Sequence, residues 1–239
     1  MLFNEIAAPL RRVLFPAFSK MDPESNEFYE AYMSNIAGLF FVLAPVSVGV
    51  ALVAPLFVPL LLGEKWIQTI QPIQLLSCAM AISIIGRIAQ SAIMSTGNTR
   101  MLFMRNLFFS PVKLVAIFAG AYFYGLEGAV WALVFQIVLM MILNVEMVNK
   151  MIGIGFFKHF YAVRDSILPL SVMVASVSLF CYPTDIRHSN TFDLVTDLTS
   201  IIFIGVLSYS FTHYVLWRVL GEKENVFFKF ITLINNIRN

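Results

Sequence analysis

Residues 36–62 run for 27 positions without a charged side chain, and 72–94, 107–124, 128–148, 167–182 and 199–217 repeat the pattern with at most one Asp, Glu, Lys or Arg each. At 1.5 Å of rise per residue, a helix of about 20 apolar residues crosses the roughly 30 Å hydrocarbon core of a bilayer. Inside that core every backbone N–H and C=O must be paired within the chain, so uninterrupted apolar runs of this length fold as helices. Only 13% of the residues are charged, against about 25% in a soluble domain, which leaves too little polar surface to cover a water-soluble particle. The sequence therefore predicts an all-α polytopic membrane bundle with six transmembrane helices.

The flanks divide the chain further. Residues 1–20 are apolar but carry Glu5 and the Arg11–Arg12 pair, which suits a partial or interfacial helix and not a full span. Residues 21–34 read as an acidic helical loop in which Asp22 followed by Pro23 resembles an N-cap and a first-turn proline. The bundle occupies 35–220, and 221–239 alternates charge with Phe227, Phe228, Phe230 and Leu233, the pattern of a helix lying on the membrane surface. The first span holds Pro45, Pro55 and Pro59; each removes a helical N–H, so this span is expected to be tilted or broken where neighbours satisfy the freed carbonyls. Gly125-Leu126-Glu127-Gly128 reads as a tight turn between the third and fourth spans.

Charge fixes an expected orientation. With the start in the cytoplasm, twelve Lys and Arg fall on inner segments, two on outer loops (Lys65 and Arg187), and two remain in the membrane. That positive-inside asymmetry predicts both termini on the cytoplasmic side.

The two cations left in the membrane, Arg87 and Lys113, organise the candidate site. Arg87 shares its run with Ser83, Gln90 and Ser91, and Lys113 follows Asn106 and Ser110, at spacings of three or four residues that align polar groups along helix faces. Arg87 lies eight residues before Ser95 and Lys113 eight residues after Arg105, so each cation is expected about 12 Å into the apolar layer. An Arg or Lys near the bilayer centre costs about 2.5–3.5 kcal/mol on insertion scales. Two readings follow: a cationic patch facing a wet cavity that receives an anionic head group, or Lys113 snorkelling to the interface while Arg87 hydrogen-bonds a neighbouring helix. Gln136 in the fourth run offers a further hydrogen-bonding group.

Catalytic chemistry is not expected. Membrane enzymes place His, Asp or Glu together near the interface, whereas His159, His188 and His213 are far apart, and His213, inside a span, reads as a hydrogen-bonded packing residue. Asp185, Asp193 and Asp197 read as a solvated outer loop without metal-ligand spacing, and Glu146 lies near the inner end of its run. The two cysteines, Cys78 and Cys181, fall in or beside apolar runs and define no disulfide framework or metal site. No Gly-rich phosphate loop is present, so nucleotide hydrolysis is not expected; nor is a cofactor, a metal or a nucleic-acid partner.

The series Arg12-Val-Leu-Phe-Pro-Ala-Phe-Ser-Lys20, then Ala54-Pro55-Leu56, Leu61-Leu62-Gly63-Glu64-Lys65-Trp66, Ser95-Thr96-Gly97-Asn98-Thr99 and Gly125-Leu126-Glu127-Gly128-Ala129-Val130-Trp131-Ala132 resembles the C-terminal half of the Wzx-type polysaccharide flippases. These belong to the multidrug/oligosaccharidyl-lipid/polysaccharide exporter superfamily, and the likeness is to its colanic-acid-exporter branch. The resemblance covers about residues 1–155. It implies a transporter in the bacterial inner membrane that moves undecaprenyl-pyrophosphate-linked oligosaccharide between leaflets, through a cationic cavity between two bundles of about six helices. Having one such bundle, the chain is expected to be a partial or truncated transporter, with the lipid bilayer, the lipid-linked oligosaccharide, a missing N-terminal half and a polysaccharide polymerase as partners. The alternatives are a cation-coupled exporter of the same superfamily, which needs an intramembrane carboxylate, and a non-transporting membrane scaffold.

Overall fold

The computed structural model describes residues 18–19, 21–180 and 191–220, without the side chains of residue 180, residues 191–193 and residue 220. The expected interfacial segments at either end, and the loop carrying Asp185, Arg187 and His188, lie outside the described residues. Within them, long helices dominate: α1 (Asn26–Leu61), α2 (Ile70–Ser95), α3 (Thr99–Ile152), α4 (Phe156–Phe180) and α5 (Thr191–Leu220), with a short 3-10 helix (Glu64–Thr69) between α1 and α2. All five long helices are long and apolar enough to cross a membrane, so the chain is an all-α multi-pass membrane protein.

Six crossings were expected and five helices are found among the described residues. The difference lies at Gly125, whose φ of 62° and ψ of −143° interrupt α3. A straight helix would hold Gly120 and Gly128 about 12 Å apart. Instead, a Cβ built on Gly120 would lie 2.4 Å from the carbonyl oxygen of Gly128. Far from the turn, Arg105 Nη1 donates to Asn144 Oδ1, and Thr96 Oγ1, just before α3, lies 3.3 Å from Met151 Sδ. These pairs are nearly symmetrical about Gly125, so α3 is an antiparallel helical hairpin with arms 99–124 and 126–152. Each arm is about 40 Å long, enough for one crossing. The positive φ explains why glycine occupies the turn, and the missing side chains at 120 and 128 let the arms meet backbone to backbone.

α1 is the hub. α2 packs along one part of it, the α3 hairpin packs on α2, and α4 and α5 pair with each other and against α1. One core joins Tyr32, Ile36 and Leu43 of α1 to Ile84, Ile85 and Ile88 of α2, Val145 and Val148 of α3 and Val163 of α4. A smaller one joins Leu56, Val177 and Ile201. Gly86 permits the α2–α3 contact, since a Cβ there would stand 2.6 Å from Met141 Cα.

The helices begin earlier than the apolar runs suggest. α1 starts at Asn26, capped by Ser25, whose Oγ accepts from Phe28 N at 3.1 Å. Asp22 is therefore not the N-cap; its Oδ1 accepts from Glu24 N at 3.1 Å in the turn before the helix. α4 starts eleven residues before position 167, and α5 starts at Thr191, so Asp193 and Asp197 belong to a helix and not to an outer loop. Charged residues continue a helix readily when water lies alongside; they end only its apolar stretch.

The prolines do not break α1. Pro45 and Pro55 lack the N–H that would bond the carbonyls of Phe41 and Ala51, four residues earlier. Tyr209 Oη of α5 donates to Phe41 O at 2.8 Å, and Gln74 Nε2 of α2 donates to Ala51 O at 3.2 Å. An orphaned carbonyl in hydrocarbon costs several kcal/mol, so these two side chains stabilise α1 at two of its three proline positions.

Candidate functional site

The polar groups of α2 and α3 build the site. On α2, Arg87 is half-buried and its Nε donates to Ser83 Oγ at 3.3 Å, one turn toward the helix N-terminus, the direction in which helical side chains lean. Ser83 is buried and donates in turn to Met80 O at 2.8 Å. Ser91, also buried, donates to the Arg87 carbonyl at 3.1 Å. Gln90 is half-buried on the following turn.

The first arm of α3 touches the remainder of the protein along a narrow stripe. Leu102 is buried, and Arg105, Phe109, Lys113, Ala116, Ile117 and Gly120 are half-buried, while most other positions of this arm are exposed. Lys113 is thus on the stripe facing the second arm. The hairpin register puts it level with Gln136, which is also half-buried. Asn106 and Ser110, expected on the Lys113 face, are exposed; the Asn106 Oδ1 accepts from Arg105 Nη2 at 2.8 Å. Ser83 and Arg87 are therefore bonded to each other, Lys113 and Gln136 share a level of the hairpin, and Asn106 is exposed away from them.

Arg87 and Lys113 lie at different distances from the loop that joins their helices. α3 begins at Thr99 and not near position 107, so Lys113 stands about 21 Å from the loop end and about 18 Å from Gly125, against about 12 Å for Arg87 from the end of α2. A four-carbon stem does not reach either end of the arm from there. Its Nζ makes no hydrogen bond or ion pair among the described residues.

A third cation joins these two. Arg105, counted from sequence among the loop charges, lies inside the first arm and bonds across the hairpin to Asn144, a side chain only 5% exposed, with Met147 Sδ at 3.9 Å. The one sequence signal for it was Asn144, a lone amide within the run Leu139–Val145. Carboxylates are engaged elsewhere: Glu146 pairs with Lys150 at 3.8 Å, and Asp165 of α4 with Arg164 at 3.2 Å.

The two described histidines are packed side chains. His213 lies against the rings of Phe41 and Tyr209, with centroids 4.6 and 4.8 Å away. His159, fully buried, has Nδ1 3.2 Å from Phe156 O and its ring edge-on to Tyr32 at 5.5 Å. Among the described residues no three His, Cys, Asp or Glu side chains gather closely enough to hold a metal ion. Cys78 is a free, exposed thiol; Cys181 lies outside the described residues. An apolar groove of about 690 Å³, lined by Val115, Phe118, Ala119, Ala121 and Tyr122, runs along the first arm and contains none of the candidate polar groups.

Comparison with known proteins agrees with this picture. A family described as "Polysaccharide biosynthesis protein" matches residues 1–71. The "Lipopolysaccharide biosynthesis protein WzxC" of Escherichia coli K12 is 26% identical over 172 residues, covering 71% of this chain and 35% of that protein. An "Uncharacterized membrane protein in cps region" of Klebsiella pneumoniae is 26% identical over 130 residues, covering 53% of this chain and 26% of that protein. The chain thus spans about a third of the length of the curated relatives it matches, or less. No solved structure matches it. Helical architecture and these likenesses converge: the chain is a multi-pass membrane protein that resembles the Wzx-type polysaccharide flippases over the larger part of its length.

Proposed function

We propose that the chain forms one helical lobe of a flippase that carries undecaprenyl-pyrophosphate-linked oligosaccharide repeat units across the bacterial inner membrane, with both described ends of the bundle facing the cytoplasm. The observation that carries this reading is Lys113, a half-buried cation near mid-height of the first arm of α3 with no hydrogen bond or ion pair among the described residues. Arg87 and Arg105 accompany it on the same α2–α3 layer. Cations in an apolar layer are tolerated where water or an anionic partner reaches them, and charge-assisted hydrogen bonds to phosphate oxygens suit guanidinium and ammonium groups alike. In this reading Arg87 and Lys113 attract the pyrophosphate, while Ser83, Gln90 and Gln136 offer hydrogen bonds to the head group or first sugar. Asn106, exposed and held by Arg105, contributes least. A partner lobe would close the cavity, and a polysaccharide polymerase would take up the exported units.

The cation-coupled exporter reading needs an intramembrane carboxylate free to bind and release an ion. Glu146 and Asp165 are already salt-bridged, which weighs against it. The test is export in cells whose surface polysaccharide depends on the protein carrying this chain. Arg87→Gln with Lys113→Gln is expected to abolish surface polysaccharide and accumulate lipid-linked repeat units at unchanged protein level. Normal export in the double variant would refute the assignment.

A further inference from the structure

We infer that α1 is a hinge braced at two of its prolines by latches from two different neighbours, a device that does not depend on which lipid is carried. Pro45 and Pro55 are ten residues apart on the one helix that both the α2–α3 layer and the α4–α5 pair pack against. Each proline leaves a carbonyl without its helical donor. Each of those carbonyls is met by a side chain from a different flank: Phe41 O by Tyr209 Oη of α5 at 2.8 Å, and Ala51 O by Gln74 Nε2 of α2 at 3.2 Å. Both are side-chain donors on helices remote in sequence, 168 and 23 residues away.

This arrangement has a mechanical consequence. An ordinary helix bends only by stretching its own i to i−4 bonds, whereas α1 at these two points has none to stretch and is held by bonds that a shift of α5 or α2 breaks. Between the prolines lies Gly49, where an added Cβ would meet only the flexible Met173 Cε at 3.6 Å, so the segment carries little bulk to resist bending. Tyr209 is positioned for its role by its ring, which packs on Phe41 at 5.8 Å and His213 at 4.8 Å. Displacing α5 therefore withdraws the hydroxyl, and displacing α2 withdraws the Gln74 amide. α1 then bends at the corresponding proline, and the two flanks of the bundle move relative to each other.

The test uses the full chain in lipid nanodiscs, with Cys78→Ser and Cys181→Ser, and nitroxides attached at the exposed positions Glu30 and Leu61, near the two ends of α1. A straight α1 holds these positions about 47 Å apart, within range of pulsed dipolar spectroscopy. The latched chain is expected to give one narrow distance distribution. Tyr209→Phe, which keeps the ring and removes only the donor, and Gln74→Leu should each add a shorter component, and the double variant should make that component dominant. Pro45→Ala restores an N–H to Phe41 O and should return the Tyr209→Phe distribution to a single narrow peak; Pro55→Ala should do the same for Gln74→Leu. An unchanged distribution in the folded Tyr209→Phe and Gln74→Leu chains would overturn the inference, as would broadening that the matching proline replacement fails to reverse. The rescue arm separates a lost latch from a general loss of packing, which restoring one backbone donor would not cure.

Discussion

Gly128→Ala tests the hairpin on which the site's geometry rests. The added methyl carbon would lie 2.1 Å from Gly120 O and 2.7 Å from Tyr124 Cβ. Ordinary contact begins near 3.4 Å, so the arms must separate by more than 1 Å at the turn. Overpacking of this kind costs about 1–3 kcal/mol, against which the better helix propensity of alanine returns at most about 1 kcal/mol. The net expectation is a loss of up to about 2 kcal/mol. Gly49→Ala and Gly205→Ala serve as controls, since their new methyls meet only side-chain atoms at 3.6 Å or farther, and these changes should be neutral or stabilising by up to about 1 kcal/mol. Reversible unfolding in mixed micelles reads the three variants side by side. If Gly128→Ala is as stable as Gly49→Ala, the close backbone approach at the turn is wrong, and with it the register that sets Lys113 level with Gln136.

Two further outcomes follow from the same geometry. Asn144→Leu removes the buried partner of Arg105 Nη1 and leaves that guanidinium only the exposed Asn106 Oδ1, which should lower stability by about 1–3 kcal/mol, measured in the same assay, with Arg105→Leu in that background recovering most of the loss because it removes the under-satisfied charge. Lys113→Leu relieves a cation from the middle of the apolar layer and should leave stability unchanged or higher, while Gln136→Leu should weaken pyrophosphate-lipid binding more than Asn106→Leu does.

Sequence and structure part company for identifiable reasons. Hydropathy measures the thickness of the apolar layer and not the length of a helix, so the runs at 107–124, 167–182 and 199–217 revealed the crossings yet missed where α3, α4 and α5 begin. The turn at Gly125 was legible from two glycines around a charged residue, even though the two arms it joins form one helical segment. Proline chemistry exposed which carbonyls of α1 lose a donor, but not that Tyr209 and Gln74 replace it, since those partners are set by tertiary packing. Arg105 was hidden for the same reason. Its pairing with Asn144, 39 positions away, exists only once the hairpin register is known, and by composition alone it joined the loop charges.

The most direct measurement is the affinity of the detergent-solubilised chain for undecaprenyl pyrophosphate relative to the uncharged alcohol undecaprenol, followed by native mass spectrometry. A hydrogen bond to a charged group contributes about 1.5–3 kcal/mol, and about 1.4 kcal/mol is a tenfold change in affinity, so removing two such contacts should weaken binding about a hundredfold or more. The expected result is preferential binding of the pyrophosphate lipid that Arg87→Gln with Lys113→Gln reduces by that factor, with helical content unchanged. Equal affinity of the double variant and the unaltered chain, or no preference for the charged lipid in either, would contradict the role of these cations.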